Sequence, residues 1–489
     1  MNRFALAACF VTLAFPATLF AEPATQAGAE ELAKHFQAVL GPATSAVQVH
    51  PEGETYAVTI DLTNAVGAIQ ALAASGFHFG MTPLDVTLTD MGDGTWSYAL
   101  HQPIVVSYSF PGEVPTSVET SFGSVKVEGV FDEALGTVRS ERFEATDVVT
   151  TSVQQNPVFG EIVTTQRHAT QLNVTEGKAG VDGVDLTVAS TITESSGSTM
   201  LPMPDFGLVP ITTDIALTTV DGEIKGLQAE DLLALWVWFL AQPSIEAITS
   251  NPPALKSKVE AILPVFGNVD LSGGLRDLSV TTPVGVFTTE EFLFQIAMAG
   301  IVADGQFHEG IEIRGFTAPE GLVPDFAKGL VPIDLSLGFT VTDFDPSGAA
   351  YVLLKVLDQP LGSPPPAGFE EALLASLLPN GAVTVTLDAG AVTGRDYKLT
   401  YEGALTAGPA QPDPTFTARL ALTGMEAIRT AMQSAPPELE LGTAAMGLGA
   451  MGGLAKPGAG GELVWEISLD ETGAVLVNGR DVEKIFGNQ

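Results

Sequence analysis

The sequence predicts an α+β protein in which antiparallel sheet predominates, and three observations predict this class. Short stretches that alternate apolar and polar residues recur along the chain, turn-forming dipeptides separate them, and helical patterns are few. The regular strand-helix alternation of a nucleotide-binding parallel sheet is absent from the pattern. We therefore expect strands joined mainly by hairpins, with short helices between some of them.

The alternating stretches have the period of half-buried strands, whose successive side chains point to opposite faces. In chain order they are Tyr56 to Leu62, Val125 to Phe131, Val184 to Thr191, Ile311 to Phe316, Val383 to Leu387 and Leu463 to Leu469. The turn dipeptides are Asp93-Gly94, Asp182-Gly183, Asp221-Gly222, Asp304-Gly305, Asn380-Gly381 and Asn478-Gly479. Because Asp-Gly and Asn-Gly suit two-residue hairpin turns, each dipeptide is predicted to separate two strands.

Three segments have helical spacing. They are Ala29 to Leu40, which stops at Gly41-Pro42, Glu230 to Ala241, which stops before Pro243, and Glu426 to Gln433. The segment from Glu230 to Ala241 is apolar on nearly all sides, so it is either buried on both sides or in contact with a partner.

An unusual string occurs twice, as PDFGLVPITTDIAL from Pro204 and as PDFAKGLVPIDLSL from Pro324. Two further landmarks, a Gln-Pro after an apolar segment and a Leu-Pro, follow each copy in the same order, roughly 115–120 residues apart. We predict two tandem related modules, each with a strand, an apolar helix, a second helix ending in Leu-Pro, and hairpin strands. The strands that open the two modules are Ile211 to Thr218 and Ile333 to Thr340.

These observations divide the chain into five predicted parts. They are a signal peptide (1–21), an N-terminal β-rich region with a leading helix (22–200), module 1 (201–322), module 2 (323–435), and a Gly/Ala/Met segment with a closing hairpin (436–489).

The N-terminus has the pattern of a secretory signal peptide. Arg3 is followed by an uncharged, largely apolar run from Phe4 to Phe20, and Ala21 is the expected cleavage point. Cys9 lies in a lipoprotein-like box, but almost no apolar region precedes it. Cleavage at Ala21 would remove the single cysteine and leave a mature chain without disulfides. The sequence therefore predicts export to the periplasm.

The amino-acid composition restricts the classes of molecule that the protein is expected to bind. A formal net charge of −37 opposes binding to nucleic acid and to anionic head groups. Hydrophobic residues make up 45% of the chain and charged ones only 16%, so the surplus apolar surface must lie in a core, an interface or a lined groove. After signal cleavage no membrane span is expected, because the ten-residue run Leu232 to Ala241 is too short.

Catalytic and metal motifs are absent from the pattern. The histidines have no ligand spacing, and His308, Glu312 and Arg314 share one face of a predicted strand that is interpreted as solvated. Asp343 and Asp345 are interpreted as a turn and helix start. Gly447, Gly449 and Gly452 satisfy G-x-G-x-x-G, but Lys456-Pro457 follows where a helix is needed, so a pliable segment is predicted. No catalytic residue, metal site or cofactor is predicted.

The C-terminal hairpin carries a resemblance. The string WEISL from Trp465, a turn at Glu471 to Gly473, and VLVNGR from Val475 resemble the end of an uncharacterised proteobacterial exported family, domain of unknown function 2125. The signal peptide, length and small-residue segment are similar as well. The resemblance implies an exported, β-rich protein and assigns no activity or site residues. Strand-rich envelope proteins of the AsmA-like kind are a more distant analogy.

Together these features predict a non-enzymatic envelope protein that binds a lipid or a protein partner on an apolar, concave sheet surface. The candidate contact residues are Ile211, Ile333, Trp236, Trp238 and Phe239. Two alternatives stay open: a periplasmic hydrolase with carboxylates that the sequence does not pair, and a purely structural component of the envelope.

Overall fold

The computed structural model describes residues 23–40, 46–67, 76–112, 114–203, 207–242, 245–359, 363–409, 411–439, 441–470 and 472–482. Strands make up 56% of the structure and short helices 23%. The predicted class, predominantly antiparallel sheet with short helices, is confirmed. The predicted signal peptide, the first PDF triplet (204–206) and the prolines at 243 and 360 lie outside the described residues.

The chain divides into two compact units. The first comprises Met1–Val269 with Leu353–Ala367, and the second comprises Asp270–Val352 with Gly368–Gln489. This division is not drawn at the predicted module boundaries. The predicted modules are two related copies of one segment. A division into compact units does not measure whether two segments are related, so the modules stay a prediction.

The first unit is built on a meander of antiparallel strands. They are β1 (Val47–Glu52), β2 (Thr55–Ile60), β3 (His78–Met81), β4 (Leu84–Asp90), β5 (Thr95–Phe110), β6 (Thr116–Asp132), β7 (Thr137–Asn156), β8 (Gly160–Ala179), β9 (Val184–Met203) and β10 (Gly207–Leu227). β1 pairs with β2 and β2 with β4, while β3 and β4 pair with successive parts of β5. From β5 to β10 each strand pairs with the next.

Two long strands each have one residue with a left-handed backbone conformation, and on β7 the alternation of buried and exposed residues shifts by one position there. Asp147 on β7 has φ of 52° and Glu194 on β9 has φ of 50°, the left-handed region that residues other than glycine rarely occupy. On β7 the buried positions nearest to Asp147 are Phe143 and Ala145 before it and Val148 after it. The left-handed residue thus shifts the alternation by one position, and the same face of the sheet stays buried on both sides.

The core of the first unit lies under its N-terminal helix. The helices are α1 (Gln26–Leu40), α2 (Leu62–Gly67), α3 (Ala229–Leu240), α4 (Ile245–Thr249) and α5 (Pro252–Ile262). Leu32 and Phe36 of α1 are buried in one cluster with Val58, Leu88 and Trp96 of the sheet. Complete burial of such side chains stabilises a fold by about 1.5–3 kcal/mol each, so this cluster anchors α1.

The second unit contains the remaining sheet. Its strands are β11 (Asn268–Thr282), which begins at the unit boundary, β12 (Gly285–Ala299), β13 (Gly305–Arg314), β14 (Pro332–Phe344), β15 (Val383–Gly394), β16 (Lys398–Gly408), β17 (Gln411–Thr423), β18 (Lys456–Pro457), β19 (Leu463–Leu469), β20 (Val475–Val477) and β21 (Arg480–Asp481). From β12 to β17 each strand pairs with the next, and β17 pairs with β19. β18 and β20 pair with opposite ends of β19.

A small core closes one end of this sheet. The helices are α6 (Pro346–Leu354), which ends across the unit boundary, α7 (Phe369–Leu377), α8 (Met425–Gln433) and α9 (Leu441–Leu454), and Asp325–Leu330 forms a 3-10 turn. Leu422, Leu454, Trp465 and Val477 form the buried cluster. The Trp465 indole donates a 2.8 Å hydrogen bond to the carbonyl of Met451, which holds α9 against β19.

Most sequence expectations for individual elements are confirmed. The three predicted helices are found, as α1, α3 and α8. Each predicted strand overlaps a strand of the sheets, although the prediction from Tyr56 extends to Leu62, where α2 begins, and the one from Ile311 extends past the end of β13. Asp93-Gly94, Asp182-Gly183, Asp304-Gly305 and Asn478-Gly479 come between successive strands, as predicted. Asp345 begins α6 as expected, and its carboxylate accepts a 2.8 Å hydrogen bond from the amide of Gly348.

Three expectations were wrong. Asp221-Gly222 is no turn, because Asp221 pairs with Ala189 and Gly222 with Val188 inside a continuous ladder. Asn380-Gly381 follows α7 instead of separating two strands. The Gly/Ala/Met segment is not pliable but forms the helix α9, whose Leu454 is buried in one cluster with Trp465 of β19. Its glycines are therefore helical and do not form a phosphate-binding loop.

The two predicted modules have the same order of elements over the described residues. β10, α3 and α5 precede β11 in the first, and β14, α6 and α7 precede β15 in the second. The first copy has the extra helix α4. Superposition of the two backbones stays a prediction.

Candidate functional site

The sheet of the second unit has one strongly apolar face. Cross-strand partners share a face of a sheet, and so do residues two apart on one strand. Phe294 pairs with Ile311, and Ile311 pairs with Leu337. Phe339 pairs with Leu387, and Val385 pairs with Leu405. We call these side chains and their same-face neighbours the open apolar face: Phe292, Phe294, Ile296, Met298, Phe307, Ile311, Ile313, Leu335, Leu337, Phe339, Val341, Val385, Leu387 and Leu405.

None of the side chains of the open apolar face is buried. Leu337 remains 43% exposed, and Met298 and Leu405 each remain 39% exposed; the others are half-buried. In contrast, the buried cluster of this unit is confined to the β17–β19 end. Neighbouring apolar side chains shield one another here without forming a closed core. Such a contiguous exposed patch is typical of an interaction surface.

The opposite face of the same sheet is polar. Glu291, Glu312 and Arg314 form ion pairs there, with Arg314 Nη1 2.7 Å from Glu291 Oε2 and Arg314 Nε 2.8 Å from Glu312 Oε1. Thr384 and Thr406 share a hydrogen bond of 3.0 Å across β15 and β16. The predicted solvated strand face is thus found for Glu312 and Arg314. The two faces differ because most apolar and polar residues alternate along β12–β16.

His308 lies on this polar face but away from Glu312 and Arg314. Its Nδ1 is 3.2 Å from Asp388 Oδ2 and 3.1 Å from Thr340 Oγ1. The register of β15 shifts between Leu387 and Gly390, which places Asp388 at an irregular position beside these groups. Because the carboxylate and the hydroxyl contact the same ring nitrogen, the histidine does not connect them as a nucleophile-activating relay would.

Two of the sequence-predicted contact residues meet on α3. The rings of Trp236 and Phe239 are stacked, with centroids 6.4 Å apart, and each side chain is 46% exposed. The Trp236 indole donates a 2.9 Å hydrogen bond to the carbonyl of Val39 on α1. Trp238 is half-buried. α3 is therefore covered in part by the N-terminal helix and in part open.

The structure does not place the other two candidates together. Ile211 lies on β10 in the first unit, half-buried and opposite Thr199. Ile333 lies on β14 in the second unit, 37% exposed, two residues before Leu335 of the open apolar face. Only Ile333 therefore adjoins the most extensive apolar surface of the second unit.

Sequence reasoning missed most of this surface. The string TEEFLFQIAM of β12 alternates apolar and polar residues less clearly than its neighbours, because Leu293 and Ala297 interrupt the pattern. On β14, where the alternation is cleaner, the sequence predicts only Ile333 as a contact residue. Pairing each strand with both neighbours would have shown that the apolar sides coincide.

A pocket lies beside α8, apart from the open apolar face. Its volume is about 540 Å³. Its lining includes Asp325, Phe326, Lys328, Arg395, Asp396, Tyr397, Glu426, Thr430 and Ser434. Lys328 pairs with Asp325 at 2.5 Å, and Asp325 holds the pKa of Lys328 above its ordinary value. Because both signs of charge line this pocket, its composition favours no single class of ion.

Over the described part of the chain, no group of three or more His, Cys, Asp or Glu side chains is arranged to hold a metal ion. None of the helices described is both long enough and apolar enough to cross a membrane.

Comparison with known proteins returned no relatives: the chain matches no protein-family model, no curated protein and no solved structure.

Proposed function

We propose that this protein binds the apolar chains of a lipid on the open apolar face of its second unit. A single observation supports the proposal: adjacent strands from β12 to β16 direct aromatic and aliphatic side chains to one face, and none of those side chains is buried. Four inter-strand spacings of about 4.8 Å make this face about 19 Å wide.

The composition of the face suits an acyl chain. β13 to β16 are each hydrogen-bonded to a neighbour on both sides, so their backbones offer no free edge to a peptide strand. Recognition must then come from side chains, and these supply mainly non-directional apolar contact. Each methylene transferred from water to such a surface contributes about 0.8 kcal/mol, so a chain of modest length binds without specific hydrogen bonds.

The same proposal includes a periplasmic location and a role without catalysis. The proposed location is the periplasm, because the N-terminal pattern predicts export, and lipids of the cell envelope would be accessible there. The proposed role is binding without chemistry, because the His308 cluster on the opposite face lacks the geometry of a catalytic relay.

The test is titration calorimetry of the mature protein with decanol, a neutral ligand with one apolar chain. We expect saturable binding with a negative heat-capacity change, the marker of apolar burial. Leu337→Ser combined with Leu405→Ser should weaken binding about fivefold or more, since two apolar contacts are lost. Leu322→Ser is the matched control, because Leu322 is 45% exposed and lies outside the open apolar face.

Lipid extraction and mass spectrometry of the protein purified from its native host complete the experiment. Co-purifying lipid that the double variant fails to retain supports the proposal. Equal decanol affinity in the double variant and the Leu322 control would contradict it. Loss of a co-purifying protein in place of lipid would favour a protein partner on the same face.

A further inference from the structure

Glu309 is an exception within the open apolar face. It pairs with Ile296 on one side and with Phe339 on the other, and Phe307 and Ile311 are its same-face neighbours on β13. All four neighbours are apolar. The Glu309 side chain is half-buried, and among the residues that the structure describes it has neither an ion-pair nor a hydrogen-bond partner.

An apolar chain lying across Glu309 would leave a carboxylate without water or a partner. Burial of an uncompensated charge is strongly unfavourable. A purely apolar ligand is therefore penalised at this position, whereas a ligand with a positive group placed there is favoured.

An aromatic pair adjoins the carboxylate. The rings of Phe307 and Phe339 have centroids 5.8 Å apart, tilted by 46°, and both residues neighbour Glu309 on the same face. The negative face of an aromatic ring attracts ammonium groups, and aromatic side chains beside a carboxylate are a common means of holding them. The net charge of −37 also favours a positively charged head group, because it repels anionic ones.

From these observations we infer that the lipid bound on the open apolar face carries an ammonium group, which is held by Glu309 with the rings of Phe307 and Phe339. The inference rests on the proposed function and adds the chemistry of the head group to it. The chain of the ligand occupies the apolar remainder of the face.

Three probes of equal chain length test this inference on the mature protein: decylamine, decanol and decanoate. We expect decylamine to bind more tightly than decanol, and decanoate least tightly. Glu309→Gln keeps the shape of the side chain and removes its charge, so decylamine affinity should fall about tenfold. Decanol affinity should not fall and should rise to the extent that the chain covers Glu309, because the uncompensated charge is gone. Phe339→Leu should reduce the preference for decylamine and retain decanol binding.

Glu312→Gln is the matched control. Glu312 is three residues from Glu309 but lies on the polar face, where it pairs with Arg314. Equal losses in Glu309→Gln and Glu312→Gln would overturn the inference and leave long-range charge as the cause. Decanol binding without a preference for decylamine would overturn the inference alone. Failure of all three probes, decanol included, would overturn the proposed function with it.

Discussion

The Tyr98 hydroxyl donates a hydrogen bond of 2.6 Å to Glu141 Oε2 inside the first unit, although 43 residues separate the two in sequence. Both side chains are buried, with Glu141 only 4% exposed. Loss of hydration raises the pKa of the Glu141 carboxyl, and the hydrogen bond from Tyr98 opposes this in part. The same burial, with the nearby carboxylate, raises the pKa of Tyr98.

We predict that Glu141→Gln raises the melting temperature at pH 7. A carboxyl with a raised pKa binds its proton more tightly in the folded state, so stability decreases as pH rises above the ordinary pKa of glutamate. Glutamine carries no charge and still accepts the hydrogen bond from Tyr98. The melting temperatures of variant and wild type should converge as pH falls to about 4 and below.

Thermal unfolding followed by circular dichroism between pH 4 and pH 8 measures this difference. Glu144→Gln is the control, since Glu144 lies on the same strand at the surface, 40% exposed at its side chain and paired with Arg142. A gap between Glu141→Gln and wild type that stays constant over the whole range would contradict the assignment.

The sequence predicted local structure better than it predicted the site. Alternation and turn chemistry located strands such as those containing Val125 and Ile311, because these signals depend on neighbouring residues. Asp221-Gly222 misled the prediction, since a continuous ladder with β9 satisfies its backbone groups and overrides the local turn preference. The Ser- and Thr-rich part of β9 was also not predicted as a strand, because its residues do not alternate between apolar and polar.

The open apolar face could not be predicted because it depends on register. Each strand alone shows only which residues share a side, as Leu335 and Leu337 do. Placing Glu309 between Ile296 and Phe339 requires the pairing and register of three consecutive strands, which no single strand shows. The partial burial of α3 could not be predicted from its own sequence either. Its Trp236 contacts α1, which is far away in the chain.

We predict that Asp147→Gly leaves stability unchanged or increases it slightly, whereas Asp147→Val lowers it by about 1–2 kcal/mol or more. Asp147 has φ of 52°, a conformation that glycine adopts freely and β-branched residues strongly avoid. Urea unfolding measures both variants. Thr151→Val, a change on the same strand, controls for the introduced side chain. Equal stability of the glycine and valine variants would show that the backbone relaxes elsewhere.

The tandem modules predict a structural superposition. Over Pro204 to Pro264 and Pro324 to Pro379, the Cα traces should overlay with strand, helix and second helix in equivalent positions. An experimentally determined structure provides the measurement. Helices that pack on opposite faces of their strands in the two segments would show that the shared PDF…LVPI string does not reflect duplication.

The N-terminal pattern predicts a processed protein. N-terminal sequencing of material from the native host should begin near Glu22, and the protein should fractionate with soluble periplasmic contents. The physical basis is the short basic start followed by the apolar run that ends near Ala21. Recovery of an acylated Cys9, or of a chain that retains Phe4 to Phe20, would contradict this prediction.

The last prediction concerns Trp238, which corresponds to Lys355 when the two predicted modules are aligned. Trp238 is half-buried on α3, while Lys355 is exposed. Trp238→Lys should therefore destabilise the first unit by about 1–3 kcal/mol, because a charge replaces a partly covered indole. Urea unfolding gives the loss, and Trp236→Phe is the companion variant. That change removes the hydrogen bond to Val39 and should lower the free energy of unfolding by about 1 kcal/mol.

Decanol affinity should stay unchanged in both variants, since α3 belongs to the first unit and the open apolar face to the second. Unchanged stability together with lost binding in Trp238→Lys would instead identify α3 as the binding surface.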